Sequence, residues 1–482
     1  MTRNLTTGPP ARLILLFAVP LLIGNLFQQM YQFADAVVVG RILGVDALGA
    51  VGSTGGLAFL LLGFSWGLTN GFAIPTARAF GAGDLDGVRR SVAAGAVLST
   101  GFALLITVTA VPASRALLVA MQTPPELLSD ATTFIAVTFM GTGATVAFNY
   151  LAASIRALGD SRTPLLFLAL ACTLNVALSV AFVGGLGMGV AGAALATIAA
   201  QLASVLACLA LVRRRMPVLQ LSRDDWRVRR ADLREPLRIG FPMGFQMSII
   251  AIGTLVLQYA VNGLGAASVA AFAASARVDG LAEAPLSSFG LALATFVAQN
   301  RGARAWTRIR QGVLRTCAVS SAFAVVIGVV NVLWGPSIVR LFLASDDRDA
   351  PEVVALAHTF LSVNGRLYVA LALLFALRNA LQGMGRSAVP TLAGVMELVL
   401  RVAAAVLLVD RLGFLGACLA APLAWLGALV PLTVAWGRER RRLAARPDGP
   451  LPLPDGPVPV PDGPVPVPDD PCVRVADEAL VT

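Results

Sequence analysis

Residues 13–40 read LILLFAVPLLIGNLFQQMYQFADAVVVG, an apolar run interrupted by a single charge, Asp35. Its length decides the fold, because a helix needs about 20 apolar residues to cross roughly 30 Å of hydrocarbon. Further segments of this kind follow at about 47–77, 91–114, 131–155, 164–185, 189–212, 239–263, 267–298, 312–334, 353–377, 388–409 and 413–436. Turn and breaker residues separate several of them: Gly81-Ala82-Gly83-Asp84, Pro124-Pro125, Gly184-Gly185 and Gly385. The expected fold is therefore an all-α integral membrane protein with about twelve transmembrane helices.

Composition points the same way. Of 482 residues, 57% are hydrophobic and only 13% charged, with a mean hydropathy of +0.78. A soluble domain carries roughly 25% charged residues, which keep its surface in water. Half that density over this length calls for a bilayer as solvent. The net charge is +10, and all 37 basic residues are arginine. In a soluble chain that balance would suggest nucleic acid. Here the arginines fall in short loops, so their use is topological and no nucleic-acid partner is expected. With the N-terminus placed in the cytoplasm, 29 arginines lie on that side, five outside and three within helices. This is the positive-inside pattern, and it predicts a multi-pass plasma-membrane protein with both termini cytoplasmic.

The same reading divides the chain into a cytoplasmic N-terminus (1–12), a first lobe (13–212), an arginine-rich cytoplasmic linker (213–238), a second lobe (239–437) and a proline-rich tail (438–482). Arg3 and Arg12 precede the first run without a small-residue cleavage site, so that run is expected to stay as a helix. The tail repeats Pro-Asp-Gly-Pro every seven residues from Pro447 to Val467, which predicts a disordered, polyproline-like segment. Five scattered cysteines form no CxxC pair, so neither a metal site, a cofactor nor a disulfide framework is expected.

The two halves repeat one another at an offset of about 221–226 residues. Leu43-Gly44 returns as Leu264-Gly265, Gly81-Ala82 as Gly302-Ala303, and Val88-Arg89 as Ile309-Arg310. Gly159 to Pro164 returns as Gly385 to Pro390, and Gly189 to Ala196 as Gly413 to Ala420. Six helices per half is an even number, so the repeats are parallel, a plan that rocks about a central cavity to give alternating access.

Asp35 is the one acid well inside a span of the first half, and no intramembrane base is there to pair with it. A carboxylate at such depth costs about 2.5–3.5 kcal/mol on insertion scales, and acids placed this way are usually functional. Proton uptake would remove that charge, as a proton-coupled carrier requires. Asn25, Gln28, Gln32 and Asp35 are spaced by three, four and three, which puts them on one helix face. That polar stripe, with Tyr31 beside it, should line a cavity. At 1.5 Å per residue, Asp35 lies roughly 8 Å below the outer helix end, with Ser179, Thr197 and Asn175 at about 9, 12 and 15 Å in the fifth and sixth spans.

The second half carries Arg277, Asp279 and Glu283 in its second span, Arg366 in its fourth, and Glu397 with Arg401 in its fifth. Three acids and three bases suit a neutral lattice, with Glu397, Arg401, Arg277 and Arg366 as structural ion pairs. Asp279 and Glu283, one turn apart, are the alternative candidates for lining a substrate or proton cavity. Pro20 and Pro242 occupy matching helices of the two halves, and Pro20 is a candidate hinge.

Four stretches carry a resemblance: Pro20 to Asp35, Val39 to Gly44, Ile155 to Pro164 and Phe296 to Ala303. They resemble the multidrug and toxic compound extrusion (MATE) family of secondary transporters, and the similarity covers residue 12 to about 440. The resemblance implies two six-helix lobes in a V-shaped bundle. It also implies export of amphiphilic, often cationic, drugs or metabolites in antiport against H+ or Na+. Family proteins place a cation network on helices one, five and six, and Asp35, Asn175 and Thr197 match its positions. A second acid of some members is replaced here by Ser179, and C-lobe acids of sodium-coupled members by Ile250 and Leu371. Both departures argue for protons. The expected partners are a small amphiphilic substrate, H+ or Na+ and the bilayer, with the chain acting as a monomer. A lipid-linked precursor flippase of the wider superfamily is the alternative. An enzyme is not expected, since no HExxH, nucleophile elbow or phosphate loop occurs.

Overall fold

The computed structural model describes residues 4–340 and 350–449. The expected repeats of the tail beyond Gly449 lie outside the described residues. Everything described is helix or short connection, without a strand among the described residues.

Seven α-helices form the first half: α1 (Pro10–Leu43), α2 (Val45–Gly81), α3 (Leu85–Ala120), α4 (Pro125–Met140), α5 (Thr142–Ala157), α6 (Arg162–Ser179) and α7 (Gly189–Arg215). The second half holds α8 (Arg230–Asn262), α9 (Ala266–Gly302), α10 (Trp306–Arg340), α11 (Ala350–Gly383), α12 (Ala388–Leu407), α13 (Val409–Leu412) and α14 (Phe414–Ala444). Among the described residues, eleven helical spans are long and apolar enough to cross a membrane, and the bent pair α4–α5, taken as one span, makes a twelfth. Several run to 34–37 residues, roughly 50 Å at the helical rise, well beyond the apolar windows that announce them.

Two details differ from the sequence expectation. The fourth span is not one straight helix: α4 and α5 meet at 48°. Gly141 sits at the corner, and a β-carbon there would lie 2.1 Å from Ile198 Cγ1 on α7, so packing sets the bend. Gly184-Gly185 does end the fifth span, as expected at 185, but it does so through a π turn and not directly from the α-helix. Those residues close a π-helical turn, Val180–Gly185, that continues α6, and the chain leaves the helix at 186–188.

The halves meet along α2 and α8, where small residues let backbones touch. A β-carbon on Gly67 would lie 2.4 Å from the Met243 carbonyl, and one on Gly71 2.4 Å from Gly240 Cα. At the arginine-rich end, α2 also reaches α9: a β-carbon on Gly302 would lie 1.9 Å from the Arg78 carbonyl oxygen. Ala73, Ile74 and Ala77 of α2 pack there with Ala153, Ala157, Ile239, Met243, Ala294 and Ala298 as one buried apolar seal. The N-terminal segment clasps the same end, with Leu5 N–H donating to Gln299 Oε1 at 3.0 Å and Arg308 Nη2 to the Gly8 carbonyl at 2.9 Å. At the opposite end, Gly44, Gly52, Gly55 and Gly265 have nothing within 4 Å of where a side chain would begin.

Replacing Gly302 with valine should therefore push α2 and α9 apart at the arginine-rich end. Overpacking of this kind costs about 1–3 kcal/mol. Thermal unfolding of the purified protein should show a clearly lowered midpoint; an unchanged midpoint would contradict the contact.

Candidate functional site

Asp35 sits eight residues before the end of α1, facing α6 and α7. Ser179 Oγ donates to Asp35 Oδ1 at 3.1 Å, and Thr197 Oγ1 reaches Asp35 Oδ2 at 3.4 Å. Asn175 Nδ2 donates to Thr197 Oγ1 at 3.1 Å, holding that hydroxyl from the far side. The Thr197 hydroxyl has a second acceptor, the Ala193 carbonyl at 3.2 Å. Its single proton can serve only one acceptor at a time, so the group can turn toward or away from the carboxyl. Asn175 and Ser179 are fully buried, while Asp35 keeps partial exposure.

Local sequence explains the geometry. Asn175 and Ser179 are one turn apart on α6, so both project from the same face. The π turn begins directly after Ser179, and π segments often accompany functional positions in helices. It widens the helix where Val183 packs with Val39, Val190 and Ala193, fixing α6 against α1 and α7. Among the described residues no arginine forms an ion pair with Asp35, and its neighbours are neutral hydroxyl and amide groups. Two polar atoms nearby have no partner among the described residues, the buried Asn175 Oδ1 and Tyr31 Oη. The three side chains expected around the acid thus come together with it, and beside them stand an acceptor and a hydroxyl without a hydrogen bond among the described residues.

The rest of the polar stripe divides. Asn25 Nδ2 donates to Ser288 Oγ on α9 at 3.0 Å, joining the halves at mid-depth. Gln28 and Gln32 are exposed and form no hydrogen bond among the described residues. Pro20 is buried inside α1, which continues through it.

The second half corrects the expected ion-pair lattice. Glu397 does pair with Arg401, at 3.1 Å, but its stronger partner is Arg378 Nη2 at 2.6 Å. All three side chains are at least nine-tenths buried. Arg277 and Arg366, expected in this lattice, are exposed and form no ion pair among the described residues. Arg378 was missed because the fourth span of this half was expected to end at 377, whereas α11 runs to Gly383. Asp279 accepts a short hydrogen bond from the Tyr368 hydroxyl, which in turn accepts from Asn331 Nδ2 at 2.9 Å. Neither Tyr368 nor Asn331 carried a spacing signal. Glu283, one turn along α9, is only partly buried and forms no ion pair among the described residues. His358 on α11 faces α10, with Nε2 2.9 Å from the Val332 carbonyl.

The family model described as MatE matches residues 20–181 and 242–407. The probable multidrug resistance protein YpnP of Bacillus subtilis is 28% identical over 79% of this chain and 84% of its own. The probable multidrug resistance protein NorM of Thermotoga maritima is 24% identical over 86% of this chain and 88% of its own. Among solved structures, MATE in complex with MaL6 superposes with a TM-score of 0.84 at 23% identity, covering 92% of this chain and 99% of that one. A MOP superfamily transporter from Pyrococcus furiosus gives 0.83 at 23% identity, with 92% and 98% covered.

Proposed function

The chain belongs to the MatE family, and from that premise we propose that it exports amphiphilic, chiefly cationic, drugs or metabolites in exchange for protons. The observation that carries this reading is Asp35, a carboxyl inside a membrane helix whose neighbours within hydrogen-bond reach are neutral. With a proton, Asp35 can donate as well as accept, and the cluster holds an acceptor without a partner among the described residues, Asn175 Oδ1. Without the proton, the carboxylate accepts from Ser179 and Thr197. The two states differ in the bonds joining α1, α6 and α7, so proton binding can bias the position of α1.

The two lobes, 13–212 and 239–437, move about the sealed arginine-rich end, which we assign to the cytoplasm together with both termini. The buried seal between α2, α5, α8 and α9 supports a state open to the outside. Protons taken up from outside by Asp35 then favour the opposite state, and substrate leaves as the proton is loaded. Location in the plasma membrane follows from this role. Relatives named multidrug resistance proteins support a drug-like substrate over a lipid-linked precursor.

The test is a flux measurement in proteoliposomes with proton and sodium gradients clamped separately. Uptake of a fluorescent cation should follow the imposed pH gradient and ignore an imposed sodium gradient. The reverse dependence would transfer the coupling role of the site to sodium.

A further inference from the structure

A cleft of about 560 Å³ lies at the arginine-rich end, outside the Asp35 site. Five arginines line it: Arg78 and Arg90 from the first half, and Arg301, Arg304 and Arg446 from the second. Three acids share it, and each is already engaged. Glu235 pairs with Arg78 through both carboxylate oxygens. Asp84 caps α3 by accepting the Gly87 N–H at 2.7 Å, and Asp232 accepts the Arg229 N–H at 3.0 Å. Arg301 donates to the Met384 carbonyl, and Arg446 stacks over Trp306 at 5.3 Å. Arg90 reaches only the Asp86 carbonyl, at 3.4 Å, and the Arg304 side chain has no partner among the described residues.

The backbone at Arg304 is a second, independent observation. The repeat that maps Gly81-Ala82 onto Gly302-Ala303 maps Gly83 onto Arg304 at the same offset. Both residues close the corresponding turn in the left-handed region, at φ 73° and 55°. Glycine adopts that conformation freely and arginine does not. The second half thus holds a guanidinium in a turn where the first half uses glycine, and the guanidinium lines the cleft.

We propose that this cleft binds a phosphate group, supplied by the headgroup of an anionic phospholipid or by a free phosphate. Arginine forks suit phosphate oxygens, and basic pockets between transmembrane helices at the cytoplasmic face hold anionic headgroups. The cleft is built from α2 and α3 on one side and α8, α9 and α10 on the other. An anion there bridges the halves only while this end is closed, so it stabilises the closed-end state; that consequence rests on the alternating-access reading, whereas the binding does not.

The experiment uses the full-length protein in phosphatidylcholine nanodiscs. One arm adds phosphatidylglycerol and the other inorganic phosphate, and both read thermal stabilisation against concentration. Wild type should be stabilised. The double variant Arg90→Gln, Arg304→Gly should lose at least about tenfold in apparent affinity, one pK-sized step of about 1.4 kcal/mol. Glycine suits the turn at 304, so this variant is expected to fold. Stabilisation by both additives identifies the phosphate group as sufficient; stabilisation by phosphatidylglycerol alone identifies the lipid as its source. No stabilisation by either, or equal affinity in the variant, overturns the proposal. So does a protein lacking residues 450–482 in which the arginine substitutions no longer matter, since the acidic tail would then be the occupant. Proton-driven flux measured on the same samples separates failure of this site from failure of the coupling site.

Discussion

Replacing Asp35 with asparagine should reduce proton-driven export by at least about a hundredfold, an effect of about 2.7 kcal/mol on the coupled step. Asparagine matches the size of the acid and keeps an oxygen for the Ser179 hydroxyl, now 3.1 Å from Oδ1. What it lacks is a proton to gain and lose. The variant should therefore reach the membrane in normal amounts and still bind substrate. In inverted vesicles carrying an imposed acid-inside pH gradient, uptake of a fluorescent cation should fall to the level of vesicles without the protein. Asp35→Glu, which still titrates but reaches about one bond further, should retain part of the activity. Full activity in Asp35→Asn would remove the proposed engine.

The largest effect on stability is expected at Glu397. Its carboxylate is the shared counter-charge of Arg378 and Arg401, at 2.6 and 3.1 Å, inside the bundle. Glu397→Gln would leave two buried guanidinium groups without it. Removing one partner of a buried pair typically costs about 3–5 kcal/mol. Arg401 would keep its 3.4 Å contact with Thr254 Oγ1 and the more distant charges of Asp279 and Glu283. Thermal unfolding and membrane yield should both drop sharply. Arg277→Gln and Arg366→Gln, at exposed positions, should stay within about 0.5 kcal/mol of wild type. Equal midpoints for Glu397→Gln and Arg366→Gln would contradict the assigned pairing.

The parts of this molecule that were legible in the sequence are those set by local pattern. Span number follows from apolar runs, because the bilayer fixes the length a helix must cover. The cluster around Asp35 was legible because depth counting places the acid and three polar side chains within about two helical turns of one another, and lone polar groups in a membrane seek one another. What stayed hidden depends on partners distant in sequence. The bend at Gly141 is imposed by Ile198, 57 residues away, and an isolated glycine in an apolar run does not announce it. The π turn after Ser179 depends on how α6 lies against α1 and α7, and its two glycines look like an ordinary break. Arg378 stayed hidden because the apolar window ends at 377, one residue short of it, whereas α11 continues to Gly383. Arg277 and Arg366 show the converse: a charge within a span is not thereby buried, because a long side chain can leave the core by its own reach.

In the proposed coupling, Asp35 exchanges a proton as substrate binds and leaves. The most direct measurement follows pH in a weakly buffered, sodium-free solution of the purified protein as a cationic substrate is added. Wild type should release about one proton per molecule, and Asp35→Asn none. Equal release from both proteins, or none from wild type while substrate demonstrably binds, would contradict it.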